Sequence, residues 1–380
     1  MSKQEAEHFR RCREQLAAAG APHSALARLA AIEARAWLIV GDWRASQALL
    51  RVTLGSDPGP FADIMTRLTA ALFAAWQDRP AEAIAHLERA DELVIGDPHG
   101  YLNFAFDVVR SLVSLEAGRA EAGYQAAMAG LSVSSGPPPD LCEFLVPLAV
   151  RALADQAEAA RDTGTADTAI LSELGSIEER FPDIVTDPGQ PTSLMIIQRS
   201  AMRSWYAAEV ARARRSSGSG ELWLETAGLF EEGGLPWMEM YSRRRAAEAL
   251  LGGGRPTQAE GRRALRRGYH LACELRAGSV RRDLEALARS ARVSLADGSQ
   301  SAVAPLALPG LTAREHEILG YLVAGSTYAE IANTLVISEK TVSSHVSNLL
   351  RKTHTSSRVE LAQLANRVVQ NISSPSAREV

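Results

Sequence analysis

The 380 residues predict an all-α protein in two parts, a long helical body followed by a small four-helix domain. Three observations carry that expectation. Apolar residues recur at steps of three and four through residues 1–295, with almost no strand-like alternation. Turn-forming clusters interrupt the pattern at helix-length intervals. Composition then shifts near residue 295, ahead of a second run of helical pattern.

In the body, one apolar stripe runs through Ala83, Leu87, Ala90, Leu93 and Val94, with Glu82, Glu88, Arg89 and Asp91 on the other side. Breaks fall at 56–60, 96–98, 134–140, 182–191 and 216–220, where Pro, Gly, Ser and Asp gather. The segments between them suit paired antiparallel helices. Related phrases recur at 41–46, 78–83, 118–122, 164–169 and 254–259, each placing a turn-former ahead of a small residue inside the next helix. They resemble the helix-to-helix turn of tetratricopeptide repeats, but their spacing is irregular and exceeds the roughly 34-residue period of that repeat. Irregular tetratricopeptide-like helical repeats are therefore expected, with a non-repeating bundle as the alternative.

Charge is uneven along the chain. Residues 1–240 hold 21 basic and 33 acidic residues, residues 241–292 hold 13 arginines and 5 acids, and residues 293–380 hold 7 of each. A basic shoulder beside an acidic body fits either nucleic acid or ion pairing with the body itself.

Enzyme classes fare poorly. No phosphate-cradling Gly-x-x-x-x-Gly-Lys-Ser/Thr run and no Gly-x-Ser-x-Gly elbow occur. His8, His23, His86, His99 and His270 are scattered without metal-ligand spacing. No enzyme activity, metal or cofactor is expected. Cys12, Cys142 and Cys273 lie far apart and read as reduced thiols. With no apolar run of membrane-spanning length and a polar N-terminus, the expected setting is cytoplasmic, with no membrane partner.

The second part begins after a linker at 296–309 that carries Pro305 and Pro309. The domain spans 310–370 and a flexible tail 371–380. Thr312 caps a first helix, with Glu315 three residues on completing a capping box. Ile318, Leu319, Leu322 and Val323 form its buried stripe, and Gly325 ends it. Thr327 caps a second, short helix with Ile331, Ala332 and Leu335 facing inward. Val336 and Ile337 turn the chain, and Ser338 caps a third helix from Glu339 to about Thr353. A fourth, over 357–369, would carry Leu361, Leu364, Ala365 and Val368. A short helix, tight turn and longer helix make a helix-turn-helix.

At about 100° per residue, Val342, Val346, Leu349 and Leu350 of the third helix share one face. Lys340, Ser344, Ser347 and Arg351 lie opposite, flanked by Ser343 and Asn348, with no acid among them. Small polar side chains let a helix enter a major groove deeply, and Lys and Arg neutralise phosphates. This is the candidate recognition helix.

The residues Leu311-Thr312-x-Arg314-Glu315-x-Glu317-Ile318-Leu319, Glu330-Ile331-Ala332 and Ile337-Ser338-Glu339-Lys340-Thr341-Val342-x-x-His345-Val346 resemble the LuxR-type DNA-binding domain of bacterial transcription regulators. The resemblance implies base contacts from Ser343, Ser344 and Ser347, and backbone contacts from Lys340, Thr341 and Arg351 or Lys352. It adds a phosphate contact at Thr327 and a dimerising role for the fourth helix. Tyr328-Ala329 replaces the family's usual Asn-Lys, which removes a phosphate contact. His354 stands where the family has a helix-stopping glycine. Serines discriminate bases less than bidentate side chains do, so specificity would also draw on Asn348, half-site spacing or DNA shape.

Upstream, residues 223–295 are similar to the helical region that precedes this domain in large LuxR regulators of the LAL group, whose nucleotide-binding domain has no counterpart here. Together the resemblances imply a regulator, more an activator than a repressor, binding double-stranded promoter DNA as a homodimer and aiding RNA polymerase. Its helical body would sense a partner protein or ligand. The alternative is a helical scaffold whose terminal domain docks protein.

Overall fold

The computed structural model describes residues 2–57, 59–94, 101–132, 139–184, 193–253, 255–295, 311–323, 328–335, 338–353, 355 and 360–361. All regular structure among them is helical, so the protein is all-α. It divides into two compact units, Met1–Val293 and Ser294–Val380. Among the described residues no helix is long and apolar enough to cross a membrane, and no cluster of three or more His, Cys, Asp or Glu could hold a metal ion. The linker at 296–309, the tail at 371–380 and most of the expected fourth helix lie outside the described residues.

The first unit opens with α1 (Lys3–Ala18), α2 (His23–Ile39), α3 (Trp43–Leu54), α4 (Pro60–Trp76), α5 (Pro80–Leu93), α6 (Tyr101–Glu116) and α7 (Ala120–Leu131). It continues through α8 (Pro139–Asp162), α9 (Thr168–Arg180), α10 (Ser193–Ala213), α11 (Ser219–Glu232), α12 (Pro236–Leu251), α13 (Arg255–Glu274) and α14 (Gly278–Ser290). Most neighbours in sequence are neighbours in space, and a second pattern is superimposed. α2 packs on α4, α4 on α6, α6 on α8, α8 on α10, and α12 on α14. The even-numbered helices therefore form an inner row, with the odd-numbered ones outside.

The turns explain the short connections. The residue after several helices takes a left-handed backbone, at Asp78, Gly118, Gly164 and Arg276 among others. The next N–H then reaches back five residues to an otherwise orphaned carbonyl, as from Arg79 to Ala74 (2.9 Å), Arg119 to Ser114 (2.8 Å) and Ala277 to Ala272 (2.8 Å). Five residues past the turn a small side chain is often buried: Ser46, whose hydroxyl donates to the Ala34 carbonyl at 2.8 Å, and Ala83. Ala169 at the equivalent place in α9 is exposed, so the pattern is not uniform.

The inner row closes on itself. Trp43 at the start of α3, Trp76 at the end of α4 and Trp237 at the start of α12 cluster, with Trp76 and Trp237 stacked 4.7 Å apart at 17°. Gly41 makes this approach possible. Its φ is +89°, and a Cβ there would lie 2.7 Å from Cγ of Pro236. Gly41→Ala is therefore expected to cost about 2–4 kcal/mol, combining a left-handed non-glycine residue with overpacking. Urea unfolding of the variant checks this.

A buried ionic network ties the inner helices together. The Arg212 guanidinium pairs with Glu209 (2.7 Å), Glu158 (2.6 Å) and Asp155 (2.8 Å). Arg245 joins Asp155 (3.0 Å) and Glu248 (3.0 Å), and Arg151 reaches Glu116 (3.0 Å). Glu209, fully buried, also accepts from Trp205 Nε1 (3.0 Å) and the Tyr241 hydroxyl (2.7 Å). Burial raises the Asp155 carboxyl, but the guanidiniums of Arg212, Arg245 and Arg151 outweigh it and hold Asp155 below its ordinary value.

The arginine-rich stretch 241–292 finds much of its charge balance inside this unit. Arg243 and Arg267 both pair with Glu231 and Glu239, Arg244 with Glu248 and Asp283, and Arg282 with Asp78. Of the two readings the sequence allowed for that stretch, the ion-pairing one describes these residues.

Candidate nucleic-acid interface

The second unit contains α15 (Ala313–Val323), α16 (Tyr328–Leu335) and α17 (Glu339–Thr353). Its core is Ile318, Leu319 and Leu322 of α15, Ile331 and Ala332 of α16, Val342, Val346 and Leu349 of α17, and Leu361. These are the apolar positions the helical spacing selects. Leu350 and Leu335 are half-buried against the same cluster. Burying Val342, Val346 and Leu349 fixes the rotation of α17 about its axis, and with it which side chains face outward.

Local chemistry sets the ends. The Glu315 N–H donates to Thr312 Oγ1 (3.3 Å) and the Thr312 N–H donates to Glu315 Oε2 (2.8 Å), a reciprocal capping box. Ser338 starts α17, its Oγ accepting the Thr341 N–H at 3.1 Å. Thr355 closes it, donating its N–H to the Leu350 carbonyl at 3.0 Å, the five-residue bond that ends many helices. His354, Gly325, Val336 and Ile337, singled out in the sequence, lie outside the described residues.

Lys340, Thr341, Ser343, Ser344, Ser347, Asn348 and Arg351 are all exposed on α17. The Ser344 hydroxyl donates to the Lys340 carbonyl (3.0 Å) and the Ser347 hydroxyl to the Ser343 carbonyl (2.9 Å). With their protons held by the helix, both serines offer oxygen lone pairs outward, as acceptors. Thr341 Oγ1 lies 2.8 Å from Ser338 Oγ. Thr327 falls outside the described residues.

Lys352 is brought elsewhere. Its ammonium lies 2.7 Å from Glu315 Oε2, on the side of α17 that meets α15. That engagement, together with the Thr312 N–H, lowers the Glu315 carboxyl to about 2 from 4.5. The folded value lies below the unfolded one, so this contribution to stability is complete above about pH 4.5 and is lost as pH falls through about 2. Urea midpoints of the second unit are expected to decline over that window, and Glu315→Gln is expected to flatten the decline.

Spacing alone did not reveal three features. Glu315 and Lys352 are 37 positions apart, so only the tertiary fold joins them. The Arg314 guanidinium donates to the Leu335 carbonyl at 3.0 Å, capping the end of α16 from α15. Tyr328, noted in the sequence only as a lost phosphate contact, packs its ring against the core.

Residues 309–365 match the family model of bacterial regulatory proteins, luxR family. That segment is a luxR-family helix-turn-helix domain. Curated relatives share it. The chain is 52% identical over 44 residues to the spore germination protein GerE of Bacillus subtilis, covering 12% of this chain and 60% of that protein. It is 47% identical over 55 residues to the uncharacterized transcriptional regulatory protein YhcZ of Bacillus subtilis, 14% and 26% of the two chains. With the uncharacterized response regulatory protein YgeK of Escherichia coli it shares 45% over 58 residues, 15% and 40%. The luxR-family similarity thus spans from about a quarter to three-fifths of each relative. No solved structure matches the chain significantly.

Proposed function

We propose that the protein is a DNA-binding transcription regulator whose α17 enters the major groove of promoter DNA. The observation that carries this reading is the outward face of α17: Lys340, Thr341, Ser343, Ser344, Ser347, Asn348 and Arg351 are exposed and basic or small and polar, while the exposed acid of the helix, Glu339, is its first residue. The luxR-family match and the regulators among its relatives support it. Lys340 and Arg351 neutralise phosphates, and Thr341 joins them at the N-terminus of the helix. Ser343, Ser344, Ser347 and Asn348 meet base edges. As acceptors, Ser344 and Ser347 suit the amino groups of cytosine and adenine. Thr327 adds a phosphate contact, and Lys352 acts first through Glu315.

In the full reading two copies occupy two half-sites, the helical unit receives a ligand or partner signal, and the bound dimer activates by aiding RNA polymerase in the cytoplasm. The test is selection of genomic DNA fragments by the full chain at two salt concentrations. A shared motif with two half-sites, bound more weakly as salt rises, is the expected result. Failure to enrich any motif at either salt concentration would overturn it.

A further inference from the structure

The first unit holds a cavity of about 230 Å³ walled by its inner row of helices. Ile39, Leu112, Leu148, Met202 and Met238 reach it from α2, α6, α8, α10 and α12. Twelve of the sixteen residues in the wall are apolar, so the surface offered to an occupant is mostly hydrocarbon and thioether. The four polar ones are already engaged within the protein. Arg199 Nε pairs with Glu143 Oε1 at 2.8 Å, Gln198 Nε2 donates to the Gly233 carbonyl at 3.1 Å, and Arg35 has a partner of its own.

These two features decide what the cavity suits. A charged occupant would enter an apolar site whose cations and anion are committed to other groups, and breaking a buried pair to accommodate it is costly. Water is no better served, since a buried water takes about three polar partners and this wall spares few. An uncharged apolar molecule meets neither penalty. Apolar surface also continues outward at the ion pair. Phe144, which follows Glu143 on α8 and lines the cavity, is 39% exposed, and Ile196, one turn before Arg199 on α10, is 53% exposed. Exposed apolar surface beside a cavity marks where such a molecule enters.

We propose that this cavity is a binding site for an uncharged, largely apolar small molecule. At the packing density of protein interiors it holds about ten non-hydrogen atoms. A single hydroxyl or similar neutral group can share hydrogen bonds with the Glu143–Arg199 pair without displacing either charge. Because the occupant touches helices from α2 to α12, binding stabilises the arrangement of the inner row. The inference deepens the reading in which the helical unit receives a ligand. Its test uses no DNA, so it stands or fails separately from DNA binding by the second unit.

The probes are straight-chain primary alcohols from butanol to decanol, titrated into the full chain by calorimetry and by thermal unfolding. One-to-one saturation and a rising thermal midpoint are expected. Affinity should increase about fourfold per added methylene as far as octanol, and flatten by decanol, which exceeds the volume. Octanoate, of the same length but charged, is expected to bind at least about tenfold more weakly than octanol. Leu112→Ala enlarges the cavity and should move the flattening to longer chains. Leu112→Trp fills it and should abolish binding, with circular dichroism confirming that both variants fold. No saturation by octanol up to about 1 mM would overturn the proposal. So would binding that both folded variants leave unchanged, since the site would then lie elsewhere. Equal affinity for octanol and octanoate would overturn the uncharged assignment.

Discussion

The double variant Lys340→Ala/Arg351→Ala binds its selected DNA about 30-fold more weakly per bound subunit at 0.15 M salt, and about 200-fold more weakly at 0.05 M. Each lost phosphate contact removes about 0.9 of a released counterion from the binding equilibrium, so the penalty grows as salt falls. A dimer on two half-sites squares these factors, to about 1,000-fold at 0.15 M, and its salt slope shallows by between 3 and 4, about twice the change expected for a monomer. The slope therefore reports stoichiometry as well as contact. Both side chains are exposed on α17 and point away from the Val342, Val346 and Leu349 core. The stability of the unit should stay within about 0.5 kcal/mol of the parent. Anisotropy titrations at four salt concentrations give both numbers. If the loss instead varied strongly among DNA sequences, these residues would be reading bases rather than backbone.

Arg212→Ala has the largest effect expected on the first unit. Removing this guanidinium leaves Glu209, fully buried, and Asp155 without their shared cation. Breaking a buried pair from one side costs about 3–5 kcal/mol, because the remaining charge stays desolvated. For a unit of nearly 300 residues that is a fall of about 5–8 °C in melting temperature. Arg212→Lys recovers part of it, since an ammonium can hold one carboxylate but not the three that the guanidinium fork spans. Calorimetry on the two variants separates charge from geometry. Equal melting temperatures for the Ala variant and the parent would mean that the network adds nothing net.

Residues close in sequence were legible, and residues joined only by the fold were not. The Thr312–Glu315 box, the Ser338 cap and the Val342–Val346–Leu349 stripe each depend on spacings of three or four, which a helix enforces whatever surrounds it. The outward face of α17 followed from that stripe. Lys352 is exposed on α17 as read, but nothing nearby in sequence shows that its ammonium reaches Glu315 of α15. The arginines at 241–292 looked like a basic shoulder until Arg243 and Arg267 met Glu231 and Glu239, and Arg282 met Asp78 some 200 residues away. The tryptophan cluster was least legible of all. Trp76 and Trp237 are ordinary apolar positions on their own helices, and only closure of the inner row stacks them.

The central claim is that α17 lies in the major groove. Methylation interference on the selected fragments tests it most directly, because dimethyl sulfate marks guanine N7 in the major groove and adenine N3 in the minor groove. The predicted result is loss of binding when N7 is methylated at guanines in both half-sites, with little effect from methylated adenines. Fragments that bind equally well with every guanine methylated, or that are blocked only by adenine N3, would contradict it.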